Sequence, residues 1–124
     1  MWTLRKVIFY KEKGYCPVAE FLDHLESKVA QKVVWVLKII EELPIIPQQY
    51  FKKIVGTDNI WEIRIQYGSN IYRILGFFSP KGTLILTHGF VKKTDKTPKR
   101  EIDRAITYMA KYNRFFLWGW IWMI

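Results

Sequence analysis

The residues of this chain whose types could do chemistry together are two arginines and a histidine on neighbouring predicted strands. Arg64 lies in an alternating apolar and polar segment, Arg73 in the apolar segment that follows, and His88 in the next one. The planar guanidinium of arginine binds a phosphate or a carboxylate through two hydrogen bonds, and histidine changes charge near neutral pH. If the chain is a catalyst, its chemistry must come from this cationic row.

The register of the strands decides whether the three side chains meet. A two-residue turn at 68–69 places Arg64 opposite Arg73, and a four-residue loop at 79–82 places Arg73 opposite His88. One row on one face of the sheet then reads Arg64, Arg73, His88. A bulge or a loop of another length would break the row, because a one-residue slip turns every side chain to the other face.

Such a row needs a negative charge beside it. Like charges opposite each other destabilise a sheet, and burying an unpaired guanidinium in an apolar strand costs free energy. Glu62 shares the face of Arg64 and could supply the negative charge; a bound phosphate is the alternative. The opposite face is apolar and is the expected seat of the helices, and its residues are Trp61, Ile63, Ile65, Tyr72, Ile74, Phe78 and Ile85. We therefore expect the face with the arginines to be open.

The elements that position these residues follow from the spacing of apolar side chains. Alternation and β-branched residues predict strands at 4–10, 51–55, 60–67, 71–78 and 83–91. Helical spacing and proline positions predict helices that begin at Pro17, near Ser27 and at Thr97-Pro98. The order indicates an α+β fold: an antiparallel sheet with two N-terminal helices packed on one face and a C-terminal helix.

Beyond His88 comes a dense group of cations. Its members are Lys92, Lys93, Lys96, Lys99, Arg100 and Arg104. The predicted helix at Thr97 begins inside this group, and the free N–H groups of a helix start attract anions. With a net charge of +9 on the whole chain, the pattern predicts a polyanionic partner such as nucleic acid.

Composition excludes several classes of protein. A chain of 124 residues with 50% hydrophobic residues forms one domain and is not disordered. Its single cysteine forms no internal disulfide and, with two histidines, offers no zinc set, so we expect a cytoplasmic protein that needs no cofactor and no metal. The apolar run 115–124 is too short for a spanning helix, which needs about 20 residues, so no membrane span is predicted.

Three stretches resemble a known family. They are Ile60–Arg64, Ile71–Ile74 and Leu86–Ile102, the last containing HGFVKKTDKTPKREI. Over residues 4–112 the chain resembles the HigB-type, phage Gp49-like branch of the RelE/ParE toxin superfamily. The resemblance implies a RelE-like toxin domain at 1–114 and an apolar C-terminal tail, 115–124, outside it.

The resemblance also implies a function. Such a protein is the toxin of a type II toxin–antitoxin system, an mRNA interferase that cuts mRNA on the ribosome without a metal and is blocked by a helix-turn-helix antitoxin. Carried onto this sequence, Arg64 and Arg73 match strand positions that hold basic catalytic residues in RelE-like members. Our hypothesis is that they hold the scissile phosphate and that His88 acts as acid or base. Glu62 is the base or only neutralises the arginines. Lys92 and Lys93 match the family's basic pair after the last strand, and Lys96, Lys99 and Arg100 complete the predicted RNA-binding set.

Two other functions stay open at this stage. A ParE-like toxin would inhibit DNA gyrase through protein contacts, without nuclease chemistry, and would not need the face that carries Arg64, Arg73 and His88. A basic RNA-binding or antitoxin-binding module with a decayed site is the third possibility.

Overall fold

Eight elements follow one another in the predicted order: a strand, two helices, four strands and a helix. The computed structural model describes residues 4–92 and 96–122, and its elements are β1 Val7–Phe9, α1 Pro17–Asp23, α2 Ser27–Glu42, β2 Phe51–Lys53, β3 Trp61–Tyr67, β4 Asn70–Phe78, β5 Leu84–Lys92 and α3 Lys99–Trp122. The α+β class is confirmed. The predicted first and second strands were too long, because only three residues of each pair with a neighbour.

Helix α2 owes its position to one apolar stripe. The buried members of the stripe are Val29, Val33, Val36 and Ile40. The helix stops at Glu42, before Pro44, and the guanidinium of Arg5 donates to the carbonyls of Ile40, Leu43 and Pro44 at 3.0, 2.6 and 2.8 Å. These bonds satisfy carbonyl groups that a helix end leaves without intrahelical partners.

The sheet is mixed, not purely antiparallel as predicted. Its strand order is β1-β5-β4-β3-β2, and β1 runs parallel to β5 while every other pair is antiparallel. The sequence-adjacent hairpins β3–β4 and β4–β5 can be antiparallel because short turns join them. Strand β1 reaches β5 only after the chain has passed through two helices, and such long connections allow parallel pairing.

The first predicted register is confirmed. A two-residue turn at 68–69 joins β3 to β4, Gly68 has a φ of +61°, and Arg64 pairs with Arg73. Glycine suits this position because positive φ costs it little.

The second predicted register is wrong. The loop between β4 and β5 has five residues, 79–83, and a β-bulge follows beside Leu75. As a result Arg73 pairs with Phe90, and His88 pairs with Leu75. Each change shifts the register by one residue, and two shifts of one residue return a side chain to the same face. His88 therefore still shares the face of the arginines, two positions further along.

Helices cover both faces, so the expectation of an open arginine face is also wrong. Helices α1 and α2 pack on one face over an apolar cluster that includes Ile63, Ile65 and Ile74. Helix α3 packs on the other face, where Ala105 and Tyr108 join a second cluster. Ile85 belongs to this second cluster, since the longer loop turns it away from α1 and α2.

Helix α3 extends further than its apolar stripe predicted. It runs without interruption to Trp122, and the proposed division at residue 114 falls inside it. The existence of a separate tail at 115–124 stays a prediction. None of the helices within the described ranges combines the length and the hydropathy needed to cross a bilayer.

Candidate functional site

The centre of the site is the carboxylate of Glu62 on β3. Its side chain is nearly buried, and the residue is 3% exposed. Arg64 Nε lies 3.6 Å from Oε1, and Arg73 Nη1 lies 3.8 Å from Oε2. The hydroxyl of Thr97, just before α3, donates a hydrogen bond to Oε2. Glu62 thus contacts both arginines, as its predicted role as their counter-ion requires.

Thr97 links the guanidinium of Arg73 to the carboxylate of Glu62. Its hydroxyl oxygen accepts a hydrogen bond from Arg73 Nη1 at 3.2 Å while its proton goes to Glu62. Thr97 comes from the segment that enters α3, whereas Glu62 and Arg73 come from adjacent strands. The sequence identified Thr97 only as a helix-start residue, because nothing local indicated its contact with β3.

The two arginines differ in access. Arg73 is 0% exposed, so it contacts solvent nowhere on its surface. Arg64 keeps 26% of its side chain exposed and can meet an approaching ligand. Burying a guanidinium requires a partner and hydrogen bonds, and the Glu62–Thr97 pair provides both. Arg73 therefore holds Glu62 in place, while Arg64 faces outward.

His88 lies apart from this group. It occupies the same row as Glu62, but Leu75 stands between them on the middle strand. The residue is 1% exposed. Burial, with a smaller contribution from the charge of Arg104, lowers the pKa of His88 to about 4. Its imidazole is therefore neutral at pH 7, and its 3.4 Å approach to Glu101 Oε1 is not an ion pair at that pH.

His88 lies between a hydroxyl and a carboxylate. Thr87 Oγ1 donates to the carbonyl of Leu75 at 3.1 Å and lies 3.0 Å from His88 Nδ1. The other ring nitrogen, Nε2, lies 3.4 Å from Glu101 Oε1 and makes no hydrogen bond within residues 4–92 and 96–122.

The predicted RNA-binding cations surround the start of α3. Lys96, Lys99 and Arg100 are exposed and Lys92, at the end of β5, is partly buried. Lys99 pairs with Asp103 one turn along the helix, at 3.3 Å. Lys93 lies outside the described residues. Lys96, Lys99 and Arg100 thus lie within three residues of Thr97, which contacts Glu62.

A second polar cluster lies beneath α3. Arg104 donates to the hydroxyl of Tyr108 at 3.3 and 3.4 Å, and the ring of Tyr108 lies 4.8 Å from that of Tyr10, tilted by 37°. Tyr10 donates to Glu12, which also receives Lys111 Nζ at 3.0 Å. Burial, and then the neighbouring Glu12 carboxylate, raises the pKa of Tyr10 to about 12. The four-residue spacing of Arg104 and Tyr108 was the one signal in the sequence that could have indicated this cluster.

Two cavities are relevant to the site. One of about 230 Å³ borders His88 and Arg104. A larger one of about 690 Å³ lies between β1 and the distal half of α3. The larger cavity contains none of the predicted site residues, so its size alone does not make it the centre of the chemistry. In the part of the chain that the structure describes, no group of three or more His, Cys, Asp or Glu residues is arranged to hold a metal ion.

Comparison with known proteins assigns the family. The model of the family "Phage derived protein Gp49-like (DUF891)" matches residues 20–110, which include Glu62, Arg64, Arg73 and His88. The chain belongs to this Gp49-like family. Among curated proteins no match was found. Among solved structures, a chain of the archaeal RelE–RelB complex from Pyrococcus horikoshii OT3 is similar, with a TM-score of 0.49 and 19% identity, over 76% of this chain and 99% of that one.

Proposed function

We propose that this Gp49-like protein is the toxin of a type II toxin–antitoxin pair, RelE-like and of the HigB type, and cleaves mRNA on the ribosome without a metal ion. One observation carries the proposal: Arg64, Arg73 and Thr97 converge on the Glu62 carboxylate beside a cationic helix start. Cations, a hydroxyl and a carboxylate are the groups that phosphodiester cleavage by acid–base and electrostatic catalysis requires.

The chemistry begins with the 2′-hydroxyl of one nucleotide attacking the adjacent phosphate. Glu62 accepts the 2′-proton, and Arg64, the exposed arginine, binds the phosphate oxygens on which negative charge develops. Arg73 has a positioning role. Its guanidinium holds in place the Glu62 carboxylate that Arg64 also contacts. Because the attacking group is the 2′-hydroxyl, the reaction is confined to RNA.

His88 is unsuited to act as the acid at pH 7. With a pKa of about 4, only about one molecule in a thousand carries the imidazolium at pH 7. Leu75 also stands between it and Glu62. We therefore place proton abstraction on Glu62, and the leaving 5′-oxygen takes its proton from water or from a group of the ribosome.

The cations around α3 hold the RNA backbone. Lys96, Lys99 and Arg100 lie within three residues of Thr97, which contacts Glu62, and Lys92 and Lys93 precede them in the chain. Salt-dependent contacts with phosphates bring the strand to the site without reading its sequence. A small domain with such a basic surface suits an extended RNA strand that the ribosome presents.

The proposed partner is an antitoxin of the helix-turn-helix class. The archaeal chain reported above comes from a RelE–RelB complex, and a toxin of this kind requires a protein that blocks it until release. A surface of net positive charge favours an acidic partner segment.

The test is induced expression with transcript ends mapped in translating cells. Wild-type protein should produce new 5′ ends in phase with codons. Arg64→Ala should reduce their frequency by about a hundredfold or more, the usual cost of losing a group that stabilises developing charge. Lys38→Ala removes an exposed cation from α2, on the other side of the sheet, and should leave the cleavage unchanged. Intact transcripts with active wild-type expression would contradict the proposal.

A ParE-like inhibitor of DNA gyrase is the second candidate, and one observation favours it. Arg73 and His88 are 0% and 1% exposed, as expected if they only stabilise the fold. In that case growth arrest would occur with intact transcripts and altered plasmid supercoiling, and Arg64→Ala would remain toxic. Supercoiling assays on the same cultures separate the two functions.

A further inference from the structure

Strand β1 forms an edge of the sheet. It stands last in the strand order, with β5 on one side and no strand of the described residues on the other. The carbonyl of Lys6 and the amide of Tyr10 form hydrogen bonds with β5, at 2.9 and 2.8 Å, so both residues face that strand. Successive residues of a strand direct their backbone groups to opposite sides. The amide and carbonyl groups of Val7 and Phe9 therefore point away from the sheet.

These outward groups are available to a further strand. The backbone hydrogen bonds that the described residues make outside the helices and the ladders of the sheet include none to Val7 or Phe9. A sheet edge with unpaired amide and carbonyl groups is a template on which an extended segment of another chain can add as a strand.

A large cavity borders this edge on the face that α3 covers. It measures about 690 Å³ and lies between β1 and the distal half of α3. Ile8, Ile85, Tyr112 and Phe115 contribute apolar surface to it, and Phe115 is 82% exposed. The side chains of a strand added to β1 would alternate between the two faces of the sheet. Every second side chain of that strand would therefore enter the cavity.

The rim of the cavity is positively charged. Its cations are Lys11, Lys13, Lys111 and Arg114, and Glu12 is the one acidic residue among the described residues that line it. The Glu12 carboxylate already accepts hydrogen bonds from Lys111 Nζ at 3.0 Å and from the hydroxyl of Tyr10 at 3.1 Å. A ligand that brings carboxylates to this rim meets complementary charge.

A second copy of this chain fits the edge poorly. Two β1 strands paired antiparallel about Ile8 would use all three residues of each strand, Val7–Phe9, and would set Arg5 of one copy opposite Lys11 of the other. Like charges opposite each other destabilise a sheet, and lysines on edge strands oppose self-pairing. An RNA strand has negative charge but lacks the repeated amide and carbonyl groups that a strand edge pairs with. The edge and its rim thus favour an acidic polypeptide.

We propose that an extended, acidic segment of a partner protein pairs with β1 as an additional strand. Its alternate apolar side chains fill the cavity between β1 and α3, and its carboxylates face the lysines and the arginine of the rim. The inference rests on the proposed function, since the partner that it implies is the antitoxin of the pair. Strands β5 and β4 lie between this edge and Glu62 on β3. The segment therefore anchors the partner without contacting that carboxylate.

The test uses the full chain and a short synthetic peptide in which valine and leucine alternate with glutamate. Amide exchange is followed in ¹H–¹⁵N spectra with and without the peptide. We expect the amides of Val7 and Phe9 to become protected, because they gain hydrogen bonds, while that of Ile8, already paired with β5, changes little. The same peptide with N-methyl groups on alternate backbone amides should bind about tenfold more weakly, because it loses backbone hydrogen bonds to the edge.

Two double variants separate the rim from net charge. Lys11→Glu with Lys13→Glu reverses two rim charges and should weaken peptide binding by about tenfold or more. Lys28→Glu with Lys38→Glu makes the same change in net charge at two exposed residues of α2 and is the matched control. Equal weakening by the two double variants would overturn the proposal, since the peptide would then respond only to net charge.

Three other outcomes would also overturn it. They are unprotected Val7 and Phe9 amides in the wild-type complex, equal binding of the N-methylated peptide, and protection that rises with protein concentration in the absence of peptide. The last would assign the edge to a second copy of the chain.

Failure of this inference differs from failure of the nuclease proposal. If the peptide binds as described while transcripts remain intact in expressing cells, the docking edge stands and the nuclease function falls. If transcripts are cut and the peptide leaves the β1 amides unprotected, the reverse holds.

Discussion

The two faces of the sheet are built from different chemistry. Under α1 and α2, the face consists of hydrocarbon side chains such as Ile63, Ile65 and Ile74, all fully buried. Under α3, the face also buries Glu62, Arg73 and His88. The same strands supply both faces, because successive residues point to opposite sides.

The difference shows which face of the sheet buries groups that stabilise the fold less than hydrocarbon would. A buried ion pair stabilises a fold less than well-packed hydrocarbon of equal volume, although breaking it is costly. The α3 face therefore carries groups that packing alone does not require. Thr97, in the segment that leads into α3, hydrogen-bonds to both members of the Glu62–Arg73 pair.

The largest effect should come from breaking the buried pair on the α3 face. Arg73→Leu leaves Glu62 without its fully buried partner, and we expect the free energy of unfolding to fall by about 3–5 kcal/mol. Chemical denaturation at pH 7 measures the change. The double variant Glu62→Met with Arg73→Leu removes both charges and should recover most of the loss. If the double variant is as unstable as Arg73→Leu, packing rather than charge dominates on this face as well.

An intermediate effect should come from acid. The pKa of His88 is near 4 in the folded protein and about 6.5 in the unfolded chain. The unfolded chain therefore binds more protons between these values, so stability is complete above pH 6.5 and falls as the pH drops through the folded pKa. The loss over the whole window is about 3 kcal/mol, and about 2 kcal/mol at pH 5.

Unfolding in urea at pH 7 and pH 5 measures this loss. Ile74→Ala on the apolar face is the control for the comparison: it should lower stability by about 3 kcal/mol at either pH, because a cavity does not titrate. His24→Gln removes the exposed histidine and should keep the wild-type pH dependence, whereas His88→Gln should reduce it. An unchanged dependence in His88→Gln would assign the effect to carboxylates.

The smallest effect should come from the outer surface of α3. Lys99 and Asp103 form an exposed pair one turn apart, and such pairs contribute about 0.5 kcal/mol or less. Lys99→Gln should therefore leave the thermal midpoint nearly unchanged while it reduces the salt dependence of RNA binding by about one phosphate contact. A large loss of stability would mean that the cationic surface is part of the fold.

Part of the site could be predicted because the determinants are local. The turn at 68–69 fixes Arg64 opposite Arg73, and period-two alternation places Glu62 on their face. The position of His88 could not be predicted, since a five-residue loop and a bulge near Leu75 depend on how β4 and β5 twist together. The contact of Thr97 with Glu62 joins residues distant in the chain and left no local pattern.

By itself the sequence determined the elements, the α+β class, the pairing of the two arginines and a concentration of cations at the start of the last helix. The tertiary structure alone decided that α3 covers the arginine face and that Glu62 neutralises the pair. It also decided that His88 is buried and neutral at pH 7. The physical reason is range: propensity and alternation act between neighbours in the chain, whereas burial, desolvation and ion pairing depend on which helix lies across the sheet.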